Sequence, residues 1–509
     1  MRPSLPGRRR AYSFIFEILN PQAVLLYFDQ MRVKTLIGIG CLCLVLVFGC
    51  SPFQPAKRNT DSENLPTRFS LYSGESAPEQ QWWRNLKSPE LERLIAAGLT
   101  DNLSLKETWA RLEQSRALAV QAGASRYPDL TGEAGAAVSR TQSGSGAAIG
   151  SEAYRLGLVS SYEVDMWGRL QAQRQAAALD VSASQEDLHT AAITLAAEIT
   201  VRWLGIISSR MQKDLLTRQL QTNETILELV QLRFRNAMVS ALDVYQQKQL
   251  VENVLAELPL VEEKERLQMH ELAVLLGKPP GAQLNITTNQ FPSLPPLPPI
   301  GLPADLLAAR PDIRAAGHRL EAADWQIAQA RANRLPAITL TARARYGESD
   351  LDVLFDTWLL NLSASLTAPI IDGGSRKAEV DRTRAVAAEK LAAYRDTVLT
   401  AIKEVEDALV REEKQQAHIA GLQQIIATAQ KALEEAGARY RNGIGDYLPV
   451  LTQLLSVQSL ENNLILRQEN RMAARVALHR ALGGGWPAEL LPAKAPQRNL
   501  KSTSGVAYE

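Results

Sequence analysis

The fold is decided by one stretch of sequence, Tyr154-Arg-Leu-Gly-Leu-Val-Ser-Ser-Tyr-Glu-Val-Asp-Met-Trp-Gly-Arg169. Up to Val164 the larger apolar side chains alternate with polar or small ones, and a period of two over about ten residues is what a membrane β-strand requires. No proline follows until Pro259, so Gly168–Gln231 can form one nearly continuous helix, roughly 95 Å long at 1.5 Å per residue. We therefore expect a membrane strand that leads directly into a helical rod.

The same order is written a second time, between 206 and 208 residues further along the chain. Five motifs recur: Arg111–Glu113 as Arg319–Glu321, Arg126–Thr131 as Arg334–Thr339, Asp165–Arg169 as Asp372–Arg376, Arg233–Asn236 as Arg439–Asn442, and Leu272–Gly277 as Leu478–Gly483. One such match carries little weight, but five in the same order indicate an internal duplication. Each copy is predicted to contain a helix, a strand pair and two long helices.

The domain boundaries follow from this repeat and from the prolines between its copies. Prolines crowd residues 279–303, which are therefore predicted to form an extended, semi-rigid strap. The first helices are expected at about Ser88–Arg126 and Pro303–Arg334, and the second rod at Gly373–Gly437. The predicted order is a signal at 1–49, a tether at 50–80, repeat 1 at 81–278 with strands at about 128–166, the strap at 279–303, repeat 2 at 304–487 with strands at about 336–371, and a tail at 488–509.

Composition and charge exclude several classes of protein. The 56 Lys+Arg and 55 Asp+Glu residues nearly cancel to a net charge of +1, so the basic excess of a nucleic-acid binder is missing. Hydrophobic residues make up 46% of the chain, yet the mean hydropathy of -0.15 is too polar for a bundle of membrane-spanning helices. Aromatic residues are only 6%, and a core of Ala, Leu and Val favours a helix-rich protein.

All three cysteines lie within residues 41–50, near the amino terminus. Met31 is the expected true start, and the apolar segment Leu36–Phe48 is shorter than the roughly 20 residues that span a bilayer, as in a signal peptide. The signal ends in Val47-Phe-Gly-Cys50, which resembles a bacterial lipobox. We expect cleavage before Cys50, which would then carry S-diacylglycerol and an N-acyl chain. An ordinary export signal that is cut elsewhere is the alternative.

The number of predicted strands bears on the assembly. Two pairs give four strands per chain, whereas about eight strands make the smallest closed barrel. Open strand edges within lipid would leave backbone groups unsatisfied, at several kcal/mol each. We therefore expect a homotrimer with a 12-stranded barrel, continued by a long periplasmic α-helical coiled-coil barrel. A soluble two-sheet domain is the alternative, and it leaves four flanking aromatic residues unexplained: Tyr154, Tyr162, Tyr346 and Trp358.

Several longer motifs carry a family resemblance. They are Trp82-Trp83, Ser161–Arg169, Gly301–Leu307, Arg310–Ile313, Leu366–Gly374, Arg439–Leu451 and Ala481–Trp486. With them the chain resembles the TolC-type outer-membrane efflux proteins, in their NodT/OprM-like lipoprotein branch, over nearly all of residues 50–487. The resemblance implies an α plus membrane β fold, a trimeric channel-tunnel in the outer membrane. It also implies docking with a periplasmic adaptor and an inner-membrane RND-type pump, and export of drugs or other toxic solutes.

The resemblance further implies a gate at the periplasmic tips of the long helices. Carried over residue by residue, this gate comprises Arg439, Tyr440, Arg441, Asp446, Leu448 and, at the equivalent tip of repeat 1, Asp243. Three copies of Leu448 would form an apolar ring that can exclude water, and three copies of Asp446 a ring that attracts cations. Asp446 is equally well placed to cap the helix that begins at Tyr447, and the two roles are compatible.

The sequence contains no pattern that points to an enzyme or a metal centre. Its five histidines are scattered, without the mutual spacing of a metal site or a catalytic triad. We therefore expect no catalytic residue, no metal ligand and no non-covalent cofactor. Two other functions remain open, namely the outer-membrane duct of a protein or peptide secretion system and a coiled-coil envelope lipoprotein without a pore. The exported solute and the particular pump and adaptor are not encoded in any motif.

Overall fold

A computed structural model describes residues 53–55, 66, 68–69, 81–144, 148–298 and 300–484. The predicted signal at 1–49, the lipidation site Cys50, most of the tether and the tail at 488–509 lie outside these residues. The described elements are α1 (Pro89–Asp101), α2 (Leu103–Ala124), β1 (Asp129–Thr141), β2 (Ile149–Val164), α3 (Arg169–Arg235), α4 (Ala241–Leu275), α5 (Leu306–Ala309), α6 (Pro311–Ala332), β3 (Ala337–Glu348), β4 (Trp358–Thr367), α7 (Ser375–Arg441) and α8 (Tyr447–Ala481). Short 3-10 segments lie at Trp82–Leu86, Pro303–Asp305 and Leu351–Val353.

The chain forms two compact units. The sheet unit is built on Val120–Ala176 and Asp324–Ala385 and contains all four described strands. The helical unit is built on the described residues of Lys57–Ala119, Ala177–Ala323 and Val386–Glu509. It contains the strap and the turns that join α3 to α4 and α7 to α8.

The sheet unit separates apolar from polar side chains by its register. Its strands are antiparallel throughout, in the order β1-β2-β3-β4, so β2 and β3 pair the two sequence repeats. Directly opposed residues share a face of the sheet. One face therefore collects the apolar alternates, among them Leu130, Ala134, Leu156, Leu158, Leu340, Ala344, Leu360, Leu362 and Leu366. The other face collects Thr131, Glu133, Arg155, Glu163, Arg343, Arg345, Asn361 and Ser363.

The first helix of each repeat is broken, where the sequence predicted it to be continuous. Asn102 separates α1 from α2: its Oδ1 accepts a hydrogen bond from the Leu105 N–H (2.8 Å), and its Nδ2 donates to the Leu275 carbonyl (2.9 Å). In repeat 2 the break falls at Arg310, which is extended because Pro311 follows it. Proline is well suited to the first position of a helix, so α6 begins there.

The long helices agree in length between the two copies. Helices α3 and α7 each have 67 residues, and α4 and α8 each have 35. The predicted rods ended at Gln231 and Gly437, four residues short of the observed helix ends. Both helices extend further because a left-handed backbone ends a helix, and the first residue with this conformation comes only at Ala237 after α3 and at Gly443 after α7.

The repeated aspartate motif builds the turns between strand and helix. Asp165 accepts hydrogen bonds from the backbone N–H groups of Leu170 (3.0 Å) and Gln171 (2.7 Å). Its counterpart Asp372 accepts from the N–H groups of Gly374 (3.0 Å) and Arg376 (3.1 Å). The first N–H groups of a helix have no partner within the helix itself. The aspartates supply those partners, which explains why the motif recurs in both repeats.

The core of repeat 1 in the helical unit surrounds the fully buried Trp203 on α3. It consists largely of aliphatic residues from α1, α2 and α3, among them Leu91, Ile95, Leu112, Ile199, Leu204, Ile206 and Ile207. Helix α3 also contains an 18-residue window apolar enough to cross a membrane, but 67% of that window is buried inside the protein. Such burial is what packing against a protein core requires.

A buried carboxylate attaches the strap to this core. Glu90 accepts hydrogen bonds from the indole Nε1–H of Trp203 (2.7 Å), from the Thr287 N–H (2.7 Å) and from the Thr287 hydroxyl (2.9 Å). Among its described residues before Pro303, the strap has no helix or strand to satisfy its backbone groups. Glu90 therefore fixes both the start of the strap and the orientation of Trp203.

Two arginines fix the strap by its carbonyl groups. Arg210 donates to the carbonyls of Ile286 (2.9 Å) and Thr288 (3.2 Å) and also pairs with Glu265. Further along, Arg475 forms a buried ion pair with Glu412 and donates to the carbonyls of Pro295 (2.7 Å) and Pro296 (3.0 Å). Prolines lack an N–H but keep a carbonyl, so cationic donors are the appropriate partners for this segment.

We expect replacement of Glu90 by alanine to destabilise the helical unit by about 3 kcal/mol, because it leaves buried donors on Trp203 and Thr287 without acceptors. The measurement is urea unfolding of the protein in detergent. Glu92→Ala is the matched control, since the Glu92 side chain is 40% exposed and its Oε2 lies 3.8 Å from the Nε of Arg84; its effect should stay within about 0.5 kcal/mol. Equal effects of the two changes would contradict the structural role of Glu90.

The same site has a defined pH dependence. Burial opposes the charge of Glu90, but the hydrogen bonds from Thr287 and Trp203 outweigh it and hold the pKa of Glu90 below its usual value. A lowered pKa stabilises the fold above the pKa of the unfolded chain, near 4.3, and this stabilisation is lost as the pH falls through the folded-state pKa. Below about pH 5 the wild type should therefore lose stability more steeply than Glu90→Gln.

Candidate functional site

The two turns between long helices have the same backbone hydrogen bonds. In repeat 1 the N–H of Met238 donates to the Arg233 carbonyl (2.9 Å), and in repeat 2 the N–H of Ile444 donates to the Arg439 carbonyl (3.0 Å). Each turn passes through one residue of positive φ, Ala237 at 55° and Gly443 at 74°. Glycine adopts this conformation without strain, whereas alanine does not. The repeat 1 turn is therefore the more strained of the two.

Arg233 joins these two turns within one chain. Its Nη1 donates to the carbonyl of Tyr440 (2.8 Å) and its Nη2 to the carbonyl of Arg441 (2.8 Å). Its guanidinium carbon lies 4.3 Å from the centre of the Tyr440 ring, within the range of a cation–π contact. A cation at the carboxyl end of α7 also interacts favourably with the helix dipole. We call this arrangement, Arg233 on the ring and carbonyls at the end of α7, the arginine clasp.

The predicted gate residue Tyr440 lies inside the helical unit. It packs with Tyr447 in a buried cluster, with ring centres 5.5 Å apart, and the Tyr447 hydroxyl donates to the side-chain carbonyl of Gln247. Burial raises the pKa of both tyrosines, so both are neutral at physiological pH. Tyr440 therefore acts through packing and through the clasp.

The acidic residues predicted for the gate have different surroundings. Asp243 accepts hydrogen bonds from the Ser240 N–H and hydroxyl, both 2.9 Å, and forms the capping box of α4. Asp446 occupies the first capping position of α8, but its side chain is exposed and makes no capping hydrogen bond. The carboxylate of Asp446 is therefore available to the solvent at the turn, whereas that of Asp243 is engaged.

The remaining predicted gate residues are exposed. Arg439 pairs with Glu435 on its own helix at 2.8 Å, and Arg441 contributes its carbonyl to the clasp. Leu448 is 60% exposed, and its repeat 1 counterpart Leu242 is 63% exposed. Sequence reasoning missed both Leu242 and the clasp of Arg233, although the 206-residue offset within the repeat would have identified Leu242.

The sheet unit presents a second candidate surface. Tyr154 and Tyr162 lie on one face of β2, eight residues apart, or about 27 Å along an antiparallel strand. Membrane barrels have an apolar band about 25 Å tall between two aromatic girdles. On this face the side chains of β4 are exposed, as are Leu156 and Leu158. Such a face suits contact with lipid, and the opposite polar face suits contact with water.

No group of three or more His, Cys, Asp or Glu residues is placed to hold a metal ion in the part of the chain that the structure describes. The sites described above offer hydrogen bonds, charge and apolar contact.

A sheet with one apolar and one polar face, together with long helical hairpins in a chain with repeated motifs, is typical of the outer-membrane channel-tunnels. The chain belongs to the outer membrane efflux protein family, whose model matches residues 94–278 and 302–484.

Named relatives and solved structures agree with this assignment. The chain is 33% identical over 468 residues to the pyoverdine export outer membrane protein OpmQ of Pseudomonas aeruginosa, covering 90% of this chain and 98% of OpmQ. It is 32% identical over 413 residues to the toluene efflux pump outer membrane protein TtgF of Pseudomonas putida, covering 80% and 86%. The outer-membrane channel OprN superposes with a TM-score of 0.81 at 26% identity, covering 85% of this chain and 99% of OprN.

These findings define the general function. The protein is the outer-membrane duct of a tripartite efflux system and is located in the outer membrane. Channels of tripartite pumps work together with an adaptor and an inner-membrane pump protein. The family is one of efflux channels, which transport solutes and do not transform them.

Replacement of Arg233 by alanine should loosen the turn that follows α7. Hydrogen bonds to a charged group contribute about 1.5–3 kcal/mol, so amide hydrogen exchange across residues 440–446 should accelerate roughly 10- to 100-fold. The measurement is hydrogen–deuterium exchange with peptide mass spectrometry. Arg235→Ala is the control, because the Arg235 side chain makes no hydrogen bond or ion pair with the described residues. Unchanged exchange in Arg233→Ala would rule out the clasp as a restraint on this turn.

Proposed function

We propose that three copies of this chain assemble into a channel-tunnel with a 12-stranded barrel, continued by a periplasmic barrel of long helices. The observation that carries the proposal is the open sheet: in the order β1-β2-β3-β4, β1 and β4 each have one edge that no described strand pairs. Unpaired strand edges are not stable in the hydrocarbon region. Pairing β4 of one copy with β1 of the next removes every edge and closes the barrel.

The proposed duct is passive and is gated at the turns between the long helices. Leu448 and Leu242 are both exposed at these turns, and in a ring of three copies they would supply six apolar side chains that exclude water. The exposed carboxylate of Asp446 would form a ring that attracts cations. The energy for transport would come from an inner-membrane pump of the RND type, which reaches the duct through the adaptor.

The proposed cargo is small organic solutes, including drugs and other toxic compounds. Two relatives support this class, because one is named for the export of pyoverdine and the other for the efflux of toluene. The polar face of the sheet carries Arg155, Arg343, Arg345, Glu133 and Glu163, so the barrel would conduct water and hydrated solutes rather than bind one ligand.

We further propose that the mature chain begins at Cys50 and is anchored by S-diacylglycerol and an N-acyl chain. Several acyl chains, at about 0.8 kcal/mol per buried CH₂, hold a protein at the membrane. Metabolic labelling with palmitate should mark the wild type and leave Cys50→Ser unlabelled. Equal labelling of the two chains would exclude Cys50 as the acceptor.

Conductance in planar bilayers tests the gated duct. The wild-type protein should show a low single-channel conductance, and the variant Asp446→Ala, Leu448→Ser should show one several-fold higher, because the apolar and acidic rings at the constriction are lost. Glu257→Ala, Leu260→Ser is the matched control, since it removes the same side-chain types from the exposed surface of α4.

If the wild type and the variant both form trimers but neither conducts, the result would contradict a duct and favour a coiled-coil envelope lipoprotein. If the wild type and the variant show the same conductance, the assigned gate is wrong, but the proposal of a pore is retained. Complementation of a strain without its efflux duct then separates solute efflux from protein or peptide secretion, because restored resistance to toxic solutes is expected only for the former.

A further inference from the structure

Three arginines lie together on the polar face of β2 and β3. The register places Arg155 opposite Gly347 and Arg345 opposite Gly157, and Arg343 is two residues before Arg345 on β3. Residues two apart on a strand share a face, and diagonal neighbours on adjacent strands lie about 7–8 Å apart. The three arginines therefore form one continuous patch, which we call the arginine patch.

The arginine patch carries more positive charge than its neighbours neutralise. Arg343 approaches Glu133, with 4.0 Å between Nη2 and Oε1, and the two side chains are 46% and 55% exposed. An exposed pair at this distance is weak. Within the described residues, Arg155 and Arg345 have no ion-pair or hydrogen-bond partner. Each chain thus sets three positive charges against one nearby negative charge.

The other acidic residues of the described strands do not neutralise the patch. Glu163 is held by Arg169, whose Nε donates to its Oε1 (2.9 Å) and whose Nη2 donates to its Oε2 (2.6 Å). Asp129 accepts the N–H of Ser161 (2.6 Å) and lies on β1, two strands away from Arg343. The remaining two lie on the opposite face by alternation: Glu152 and Glu348. On the polar face, positive charge therefore lies toward the hairpin loops and negative charge toward the helices.

Two glycines keep the space beside the arginines open. Directly opposed side chains on neighbouring strands have Cβ atoms about 5 Å apart, so a larger residue opposite an arginine would occupy that space. A Cβ at Gly157 would lie 2.9 Å from the Cβ of Arg345 and 2.7 Å from the carbonyl oxygen of Ala344, which is too close. At Gly347 a Cβ would lie 3.6 Å from the Cγ of Arg155. The guanidinium groups therefore face open space on this side of the sheet.

We propose that the arginine patches of three copies form a basic ring inside the barrel, and that this ring favours the passage of anionic organic solutes, which carry carboxylate, sulfonate or phosphate groups. The proposal rests on the trimeric duct proposed above, in which the polar face lines the lumen. Three arginines in each of three copies give nine positive charges. Rings of arginine or lysine select anions in membrane pores, and low-dielectric walls strengthen the field of such charges.

The basic ring suits passage rather than retention. Arg343, Arg345 and Arg155 occupy three successive levels of the strand ladder, about 7 Å apart along the strands. An anion that leaves one level therefore meets the next arginine. Conduction requires several sites that release the solute as easily as they accept it. The ring thus sorts solutes by the sign of their charge and holds none of them.

Ion selectivity in planar bilayers tests the basic ring. The background is Asp446→Ala, Leu448→Ser, because this variant removes the acidic ring proposed at the turns and leaves the barrel unchanged. At about 0.1 M salt, where the Debye length is about 10 Å, reversal potentials should show a roughly 3- to 10-fold preference for chloride over potassium. Benzenesulfonate should be preferred over trimethylphenylammonium to a similar extent. At about 1 M salt the Debye length is about 3 Å, and both preferences should shrink.

Variants of the patch assign the preference to its charge. In the same background, Arg155→Ser, Arg343→Ser, Arg345→Ser should abolish the preference for anions. Lysine at the same three positions should retain it, because the positive charge is kept. Arg345→Ser alone should lower it, whereas Arg140→Ser is the matched control and should leave it unchanged, since Arg140 lies on the apolar face of β1.

The outcomes separate this inference from the proposed duct. Channels that conduct without any preference for anions, or that keep the preference in the triple serine variant, would overturn the basic ring and leave the duct standing. Trimers that never conduct, in the background or in any variant, would contradict the duct itself. Should the triple serine variant form no channels, the single variants decide: equal selectivity of Arg345→Ser and Arg140→Ser would overturn the ring.

Discussion

The unpaired backbone at the two edges of the sheet is the constraint on which the rest depends. Among the described strands, β1 and β4 each pair on one side only, and hydrocarbon offers no replacement for water as a hydrogen-bond partner. One face of the sheet carries apolar side chains, and such a face is unfavourable in contact with water. In the proposed trimer, neighbouring copies supply the missing strands, and every contact at the helical turns has to be compatible with that ring.

Equivalent positions in the two repeats have different structural roles. Ser240 caps α4, but its counterpart Asp446 makes no capping bond and keeps an exposed charge. A φ of 55° falls on Ala237 in one turn and a φ of 74° on Gly443 in the other, so only one turn is free of strain. Paired turns with unequal strain and unequal charge can respond differently to the same adaptor, which an exact six-fold ring could not do.

Much of the fold could be predicted because it depends on local patterns. Period-two alternation located strands even where β1 is rich in glycine, and the lack of proline located α3 and α7. The break at Asn102 was missed because it depends on a bond to the distant Leu275 carbonyl. The break at Arg310 was missed although Pro311 is a local signal for it. For the same reason the clasp of Arg233 could not be read from its neighbours in sequence. Cys50 lies outside the described residues and stays a prediction.

Two kinds of arginine contact divide the helical unit into fixed and movable parts. Arg475 and Glu412 are each 3% exposed and hold the strap, and removing one partner of such a pair costs about 3–5 kcal/mol because a charge is left buried. Arg233 instead binds carbonyls near the surface, so water can replace both partners when the clasp opens. Opening the clasp therefore exchanges its hydrogen bonds for bonds to water, whereas breaking the buried pair leaves a charge without any partner, so the turn is the part of the helical unit that can move.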